Sequence, residues 1–156
     1  MRRLALGLAA LVVALDQLSK WWIRADVMNP PHELVVTPWF SVVLAWNRGI
    51  SFSLFHSDAP LAPYLWAGLA VVVAAALAWW VGRVKKPLPA LGAGLVIGGA
   101  LGNAIDRLRF GAVVDFLDFH WQDSHWPAFN LADSAVTVGV ILLLADGLFS
   151  APEKVK

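Results

Sequence analysis

Four mostly apolar runs, each close to 20 residues long, decide what this chain of 156 residues can fold into. They cover approximately Leu4–Trp22, Leu61–Gly82, Leu88–Ile105 and Leu131–Phe149. About 20 such residues are what an α-helix needs to cross roughly 30 Å of hydrocarbon. No water reaches the backbone there, so helix is the state these runs must adopt. Composition agrees: 59% of residues are hydrophobic and 15% charged, against about 25% charged in a soluble domain. The first run follows Arg2 and Arg3 as a signal peptide would. Its second half, DQLSKWW, offers no small-residue cleavage site and reads as a retained span. The absence of cysteine excludes disulfides, a thiol nucleophile and cysteine metal ligands. A net charge of +1 gives no electrostatic case for nucleic acid.

The basic residues predict an orientation. Arg2, Arg3, Arg83, Lys85, Lys86, Lys154 and Lys156 flank the same ends of an even number of spans. The positive-inside rule then places both termini and the KKPLP loop in the cytoplasm. The opposite face receives segments 25–60 and 106–130, with most of the acids and the unusual polar residues. LVVTPWFSVVLAW and FGAVVDFLDFHW in these segments are rich in β-branched and aromatic residues and read as strands, the second followed by the polar turn QDSHWP. Phe52, Leu54 and Phe55 read as a short amphipathic surface helix. The expected fold is a mainly α membrane protein: four transmembrane helices, a small extracytoplasmic sheet and that surface helix, residues 1–156 forming one domain. Of nine tryptophans, Trp21, Trp22, Trp39, Trp121 and Trp126 are placed to mark the outer membrane boundary.

Polar residues gather where the spans meet this outer face. Asp16 and Lys20 stand at i and i+4, on one side of the first helix, in the favourable order for an ion pair. Asp16 lies about 18 Å along the helix from Leu4, in the outer half of the bilayer. Asn47 and Gly49 lie in WNRGISFSLF between the strand-like run and the second span; the asparagine offers a donor and an acceptor, the glycine a turn. Asn103, Asp106 and Arg107 cluster on about one turn in GGALGNAIDR, where adjacent Asp106 and Arg107 read most simply as a charge pair. Asp115 in VVDF has apolar neighbours on both sides, while Asp133 follows Asn130 at the opening of the fourth span.

Two facing carboxylates sharing one proton form a hydrolytic device: one takes a proton from water while the other polarises the scissile carbonyl. Asp133 is one half of such a pair; Asp115 or Asp106 is the other. Arg107 beside Asp106 favours an ion pair over a group that exchanges protons, which turns the reading toward Asp115. His32, His56, His120 and His125 are scattered, with no metal-ligand spacing, so neither a metal nor another cofactor is expected.

DQLSK, NRGISFS, GGALGNAIDR, VVDF and FNLADS together resemble, in order and spacing, the bacterial lipoprotein signal peptidases, the type II signal peptidases. The resemblance runs from the first span to the last; one departure is Ile50-Ser51, where the family often has two alanines. It implies a membrane aspartic endopeptidase of the bacterial inner membrane. Such an enzyme removes the signal peptide from diacylglyceryl-modified prolipoproteins, cutting just before the lipidated cysteine near the outer face. Carried over position by position, it makes Asp115 and Asp133 the catalytic pair. Asn47, Gly49, Asn103, Arg107 and Asn130 become site or substrate residues, and Asp16 and Lys20 a supporting pair. It also implies membrane lipid as a partner, sensitivity to globomycin-type inhibitors and action as a monomer. The rival from another class is a non-enzymatic four-helix transporter or assembly factor, which would carry acids near mid-bilayer on several helices. Here they gather at one face.

Overall fold

One helix organises the rest. In the computed structural model, which describes residues 1–49 and 59–149, α3 (Pro87–Phe110) packs against each of the other long helices. These are α1 (Arg2–Trp22), α2 (Ala62–Trp80) and α4 (Leu131–Phe149). α3 is the most buried of the four because its small residues let neighbouring backbones approach, as membrane helices require. A Cβ on Gly102 would stand 2.6 Å from Asp16 Oδ2, and one on Gly99 would collide with the carbonyl oxygen of Ala132. α1 and α4 are thereby seated on two sides of α3. All four helices are long and apolar enough to cross a membrane, and Trp21, Trp22, Trp39, Trp121 and Trp126 are exposed.

The sequence-derived spans agree with these helices except at two ends. α1 runs on through a π-helical turn, Ile23–Val27. The third helix does not stop at Ile105. It continues to Phe110 and ends on Gly111, whose φ of 72° is the left-handed conformation glycine adopts without penalty. Asp106 and Arg107 are therefore helical residues, one and four positions on from Ile105 and Asn103 respectively.

The two strand-like segments do pair. LVVTPWFSVVLAW is not one strand: it folds at Pro38–Trp39 into a hairpin of β1 (Leu34–Thr37) and β2 (Phe40–Asn47). Proline cannot donate to a ladder, which favours the break there. β2 pairs antiparallel with β3 (Val113–Trp121), with Ala45 opposite Asp115 and Ser41 opposite Asp118. The short β4 (Ser124–His125) completes the order β1-β2-β3-β4. Ile23, Met28 and Phe116 form a small apolar core joining the end of α1 to the sheet. The expected surface helix at Phe52, Leu54 and Phe55 lies outside the described residues.

Candidate active site

Asp133 is fixed by the way its helix begins. Asn130 precedes α4, and its side-chain oxygen accepts the Asp133 N–H at 2.9 Å. In return Asp133 Oδ2 accepts the Asn130 N–H at 3.2 Å. This reciprocal arrangement is a capping box, which satisfies two helix-terminal donors that would otherwise be orphaned. Asp133 Oδ1 accepts from Asn103 Nδ2 at 2.9 Å. The carboxylate at the head of this apolar run thus has local partners in addition to any chemistry.

Asp115 arrives from the sheet. It is 1% exposed, and each oxygen accepts one amide donor: Oδ1 from Asn130 Nδ2 at 2.7 Å and Oδ2 from Asn47 Nδ2 at 3.0 Å. Asn130, itself fully buried, consequently touches both aspartates. Burial pushes the Asp115 carboxyl up to about 7; the charge of Asp133 adds to the rise, and the Asn47 and Asn130 hydrogen bonds and Lys20 oppose it. Asp115 therefore holds or releases a proton close to neutral pH.

The structure brings the remaining sequence candidates to the same end of the bundle. Asn103 Oδ1 accepts from Lys20 Nζ at 2.9 Å and from Asn130 Nδ2 at 3.1 Å. Asn47 Oδ1 accepts the Gly49 N–H at 2.9 Å, and Arg107 donates to the Gly49 carbonyl at 2.7 Å. The expected Asp16–Lys20 ion pair is present at 2.9 Å. The expected pairing of Asp106 with Arg107 is corrected: Asp106 binds Lys20 at 2.9 Å, because residues i and i+1 on a helix face different directions. Arg107 instead feels the charges of Asp133 and Asp115 as well as Asp106, and its Nε is buried without a partner among the described residues.

This ion-pair triad has a consequence that sequence spacing does not reveal. Asp106 Oδ2 accepts the N–H of Val114, and Asp16 Oδ1 accepts the N–H of Ala132. Those two amides immediately precede Asp115 and Asp133. Lys20 neutralises part of the charge between them, so a buried salt bridge anchors the backbone on both sides of the candidate pair. Gln17 joins in, donating to Asp16, Asp106 and the Gly102 carbonyl. It was not singled out from sequence, although an amide within an apolar run needs partners of this kind.

Asp133 also borders two apolar clefts. One, of about 220 Å³, lies along α2, α3 and α4, with Leu69, Val73, Val96 and Val136 below a polar end at Asn103, Arg107 and Asp133. The other, of about 340 Å³, is lined by Trp126, Phe129, Asp133, Ser134, Thr137 and Val138. Asp133 therefore meets hydrocarbon-like surface in both clefts.

Comparison with known proteins decides the family. The family model described as signal peptidase (SPase) II matches residues 8–149. The chain belongs to the signal peptidase II family. It is 44% identical over 155 residues to the lipoprotein signal peptidase of Rhodopseudomonas palustris strain TIE-1, covering 96% of this chain and 94% of that relative. The lipoprotein signal peptidase of Pseudomonas aeruginosa strain UCBPP-PA14 is 44% identical over 144 residues, covering 90% and 85%. A bacterial membrane enzyme structure obtained by the in meso method at 2.3 Å resolution superposes with a TM-score of 0.79 at 29% identity, covering 97% of this chain and 94% of that one. The signal peptidase II family and the four apolar helices together make this a multi-pass bacterial membrane protein with the fold of a peptidase.

Proposed function

We propose that this signal peptidase II family member is an aspartic endopeptidase whose dyad is Asp115 and Asp133. It removes the signal peptide from diacylglyceryl-modified prolipoproteins by cutting before the lipidated cysteine. The observation that carries this reading is Asn130, which hydrogen-bonds both carboxylates from one buried position. In the mechanism, the dyad holds one proton. The ionised member takes a proton from water as its oxygen attacks the scissile carbonyl. The protonated member gives its proton to the carbonyl oxygen, forming a diol. Collapse of the diol protonates the departing nitrogen and breaks the C–N bond. The products are a new carboxyl end and a cysteine with a free amino group, and the dyad regains its shared proton. The anchored Asn47, Asn103 and Asn130 keep the carboxylates from rotating, and Arg107 and Gly49 border the substrate path.

The position of Asp115 near neutrality supports this assignment. If Asp115 is the protonated member, turnover falls as pH rises through about 7 and it loses that proton. The same shift has a stability sign. Between the unfolded value of 3.8 and about 7 the folded chain binds more protons than the unfolded one. This group's contribution to stability is therefore lost as pH rises through that window. Incubating purified protein with a lipid-modified prolipoprotein, then measuring product masses, tests the reaction. A cut elsewhere than before the lipidated cysteine overturns it.

Orientation follows the basic residues. Reporter fusions after Lys86 and at the C-terminus are expected to report cytoplasm, and one near Asp58 the outside; an outside signal at Lys86 overturns the four-span topology. The dyad would then lie near the outer membrane surface, within reach of water, with globomycin-type inhibitors occupying it. On this reading the enzyme acts as a monomer. The chemistry uses no metal, so turnover is expected to persist in excess EDTA, and a zinc-restored loss with the fold and its thermal midpoint unchanged would refute a metal-free dyad.

A further inference from the structure

The expectation of no metal ligands rested on distances along the chain, but sheet pairing brings separated residues together. We propose that Glu33, Asp118 and His120 form a divalent transition-metal site, separate from the dyad, for which zinc is the natural probe. One potential ligand atom from each lies within 4.8 Å of those of the other two. Glu33 immediately precedes β1, while Asp118 and His120 are two apart on β3, so they share a face of that strand. The pairings Val35–Ser41 and Ser41–Asp118 carry that face across β2 to the Glu33 side. Asp115, three residues from Asp118, points to the other face by the same alternation.

The donors are suited to such an ion. Carboxylate oxygen and imidazole nitrogen are both zinc donors, and solvent in a fourth position would complete four-coordination around these three side chains. Both β3 ligands already have the supporting contacts that metal ligands use to fix their orientation. Asp118 is 6% exposed, and its Oδ2 contacts His125 Nδ1 at 2.8 Å, leaving the second oxygen for an ion. His120 Nε2 lies 3.2 Å from the hydroxyl of fully buried Ser41. A proton on that nitrogen, donated to Ser41, leaves Nδ1 with the lone pair a metal needs. The His125 ring stacks on His120 with centroids 4.9 Å apart, holding the pair in place. A bound ion would tie the start of β1 to β3 across β2, bracing the sheet that delivers Asp115.

The test is zinc titration of the full chain, purified without a polyhistidine tag, stripped with chelator and kept in detergent. Calorimetry and native mass measurement are expected to find one zinc per chain, with a rise in thermal midpoint. Glu33→Gln and His120→Gln should each weaken binding at least about tenfold, the smallest loss typical when even a ligand's supporting partner is removed, and together abolish it. Glu33 is exposed, so E33Q keeps the fold and the cleavage rate on lipidated substrate without added metal. The buried Asp118 need not be changed. Absence of saturable one-to-one binding overturns the proposal. So does undiminished zinc binding by a folded double variant, which would assign the ion to His32, His56 or another group.

Discussion

Asp115→Asn and Asp133→Asn are each expected to lower turnover by at least about a thousandfold while leaving a folded protein that still binds inhibitor. General acid–base groups contribute roughly 10²–10⁴ each, and a dyad sharing one proton loses both functions when either member cannot exchange it. Asp106→Asn separates this chemistry from architecture. Both Asp106 oxygens accept donors: Oδ2 from Val114 and Lys20, Oδ1 from Gln17. An asparagine must set its own NH₂ against one of them, and an unmet buried donor costs about 1–3 kcal/mol. Reduced yield and thermal stability are expected, with cleavage retained per folded molecule. The measurement is product mass against time, normalised to folded protein. Substantial activity in Asp115→Asn, alongside inactive but folded Asp106→Asn, would make Asp106 and Asp133 the dyad instead.

A prolipoprotein without its diacylglyceryl group is expected to be cut at least about a hundredfold less efficiently, measured as kcat/KM in the same detergent or bilayer. That ratio corresponds to about 2.7 kcal/mol. The clefts beside Asp133 are lined mainly by apolar side chains, and each buried methylene contributes about 0.8 kcal/mol. Four methylenes' worth of improved burial is therefore enough, and acyl chains have many more. Most of their length is in hydrocarbon before and after docking, so only the part that replaces water or loosely packed lipid discriminates. Equal efficiency on both substrates would mean that the clefts do not read the lipid, and recognition would have to reside in the peptide alone.

Much of this architecture is legible along the chain because its physics is local. The four apolar runs had to be helices, since hydrocarbon leaves the backbone no other partner. Asp16 and Lys20 are readable as a pair from their i,i+4 spacing, Asp115 stands out as an acid between apolar neighbours, and Asp133 as one that opens an apolar span. What the sequence by itself determined was therefore the membrane class, the strand-like segments and the end of the bundle where polar groups collect. Contacts between distant elements required the tertiary structure. Only the packing of α1 and α4 on α3 gives Lys20 to Asp106 in place of Arg107, and turns Asp16 and Asp106 toward the amides before the two candidate catalytic residues. Only antiparallel pairing of β2 with β3 sets Asn47 on Asp115, and only the ordering of strands unites Glu33 with Asp118 and His120. The physical reason is common to all three: a hydrogen bond or charge pair acts over a few ångströms of space, and separation in sequence does not specify that distance until the fold has closed.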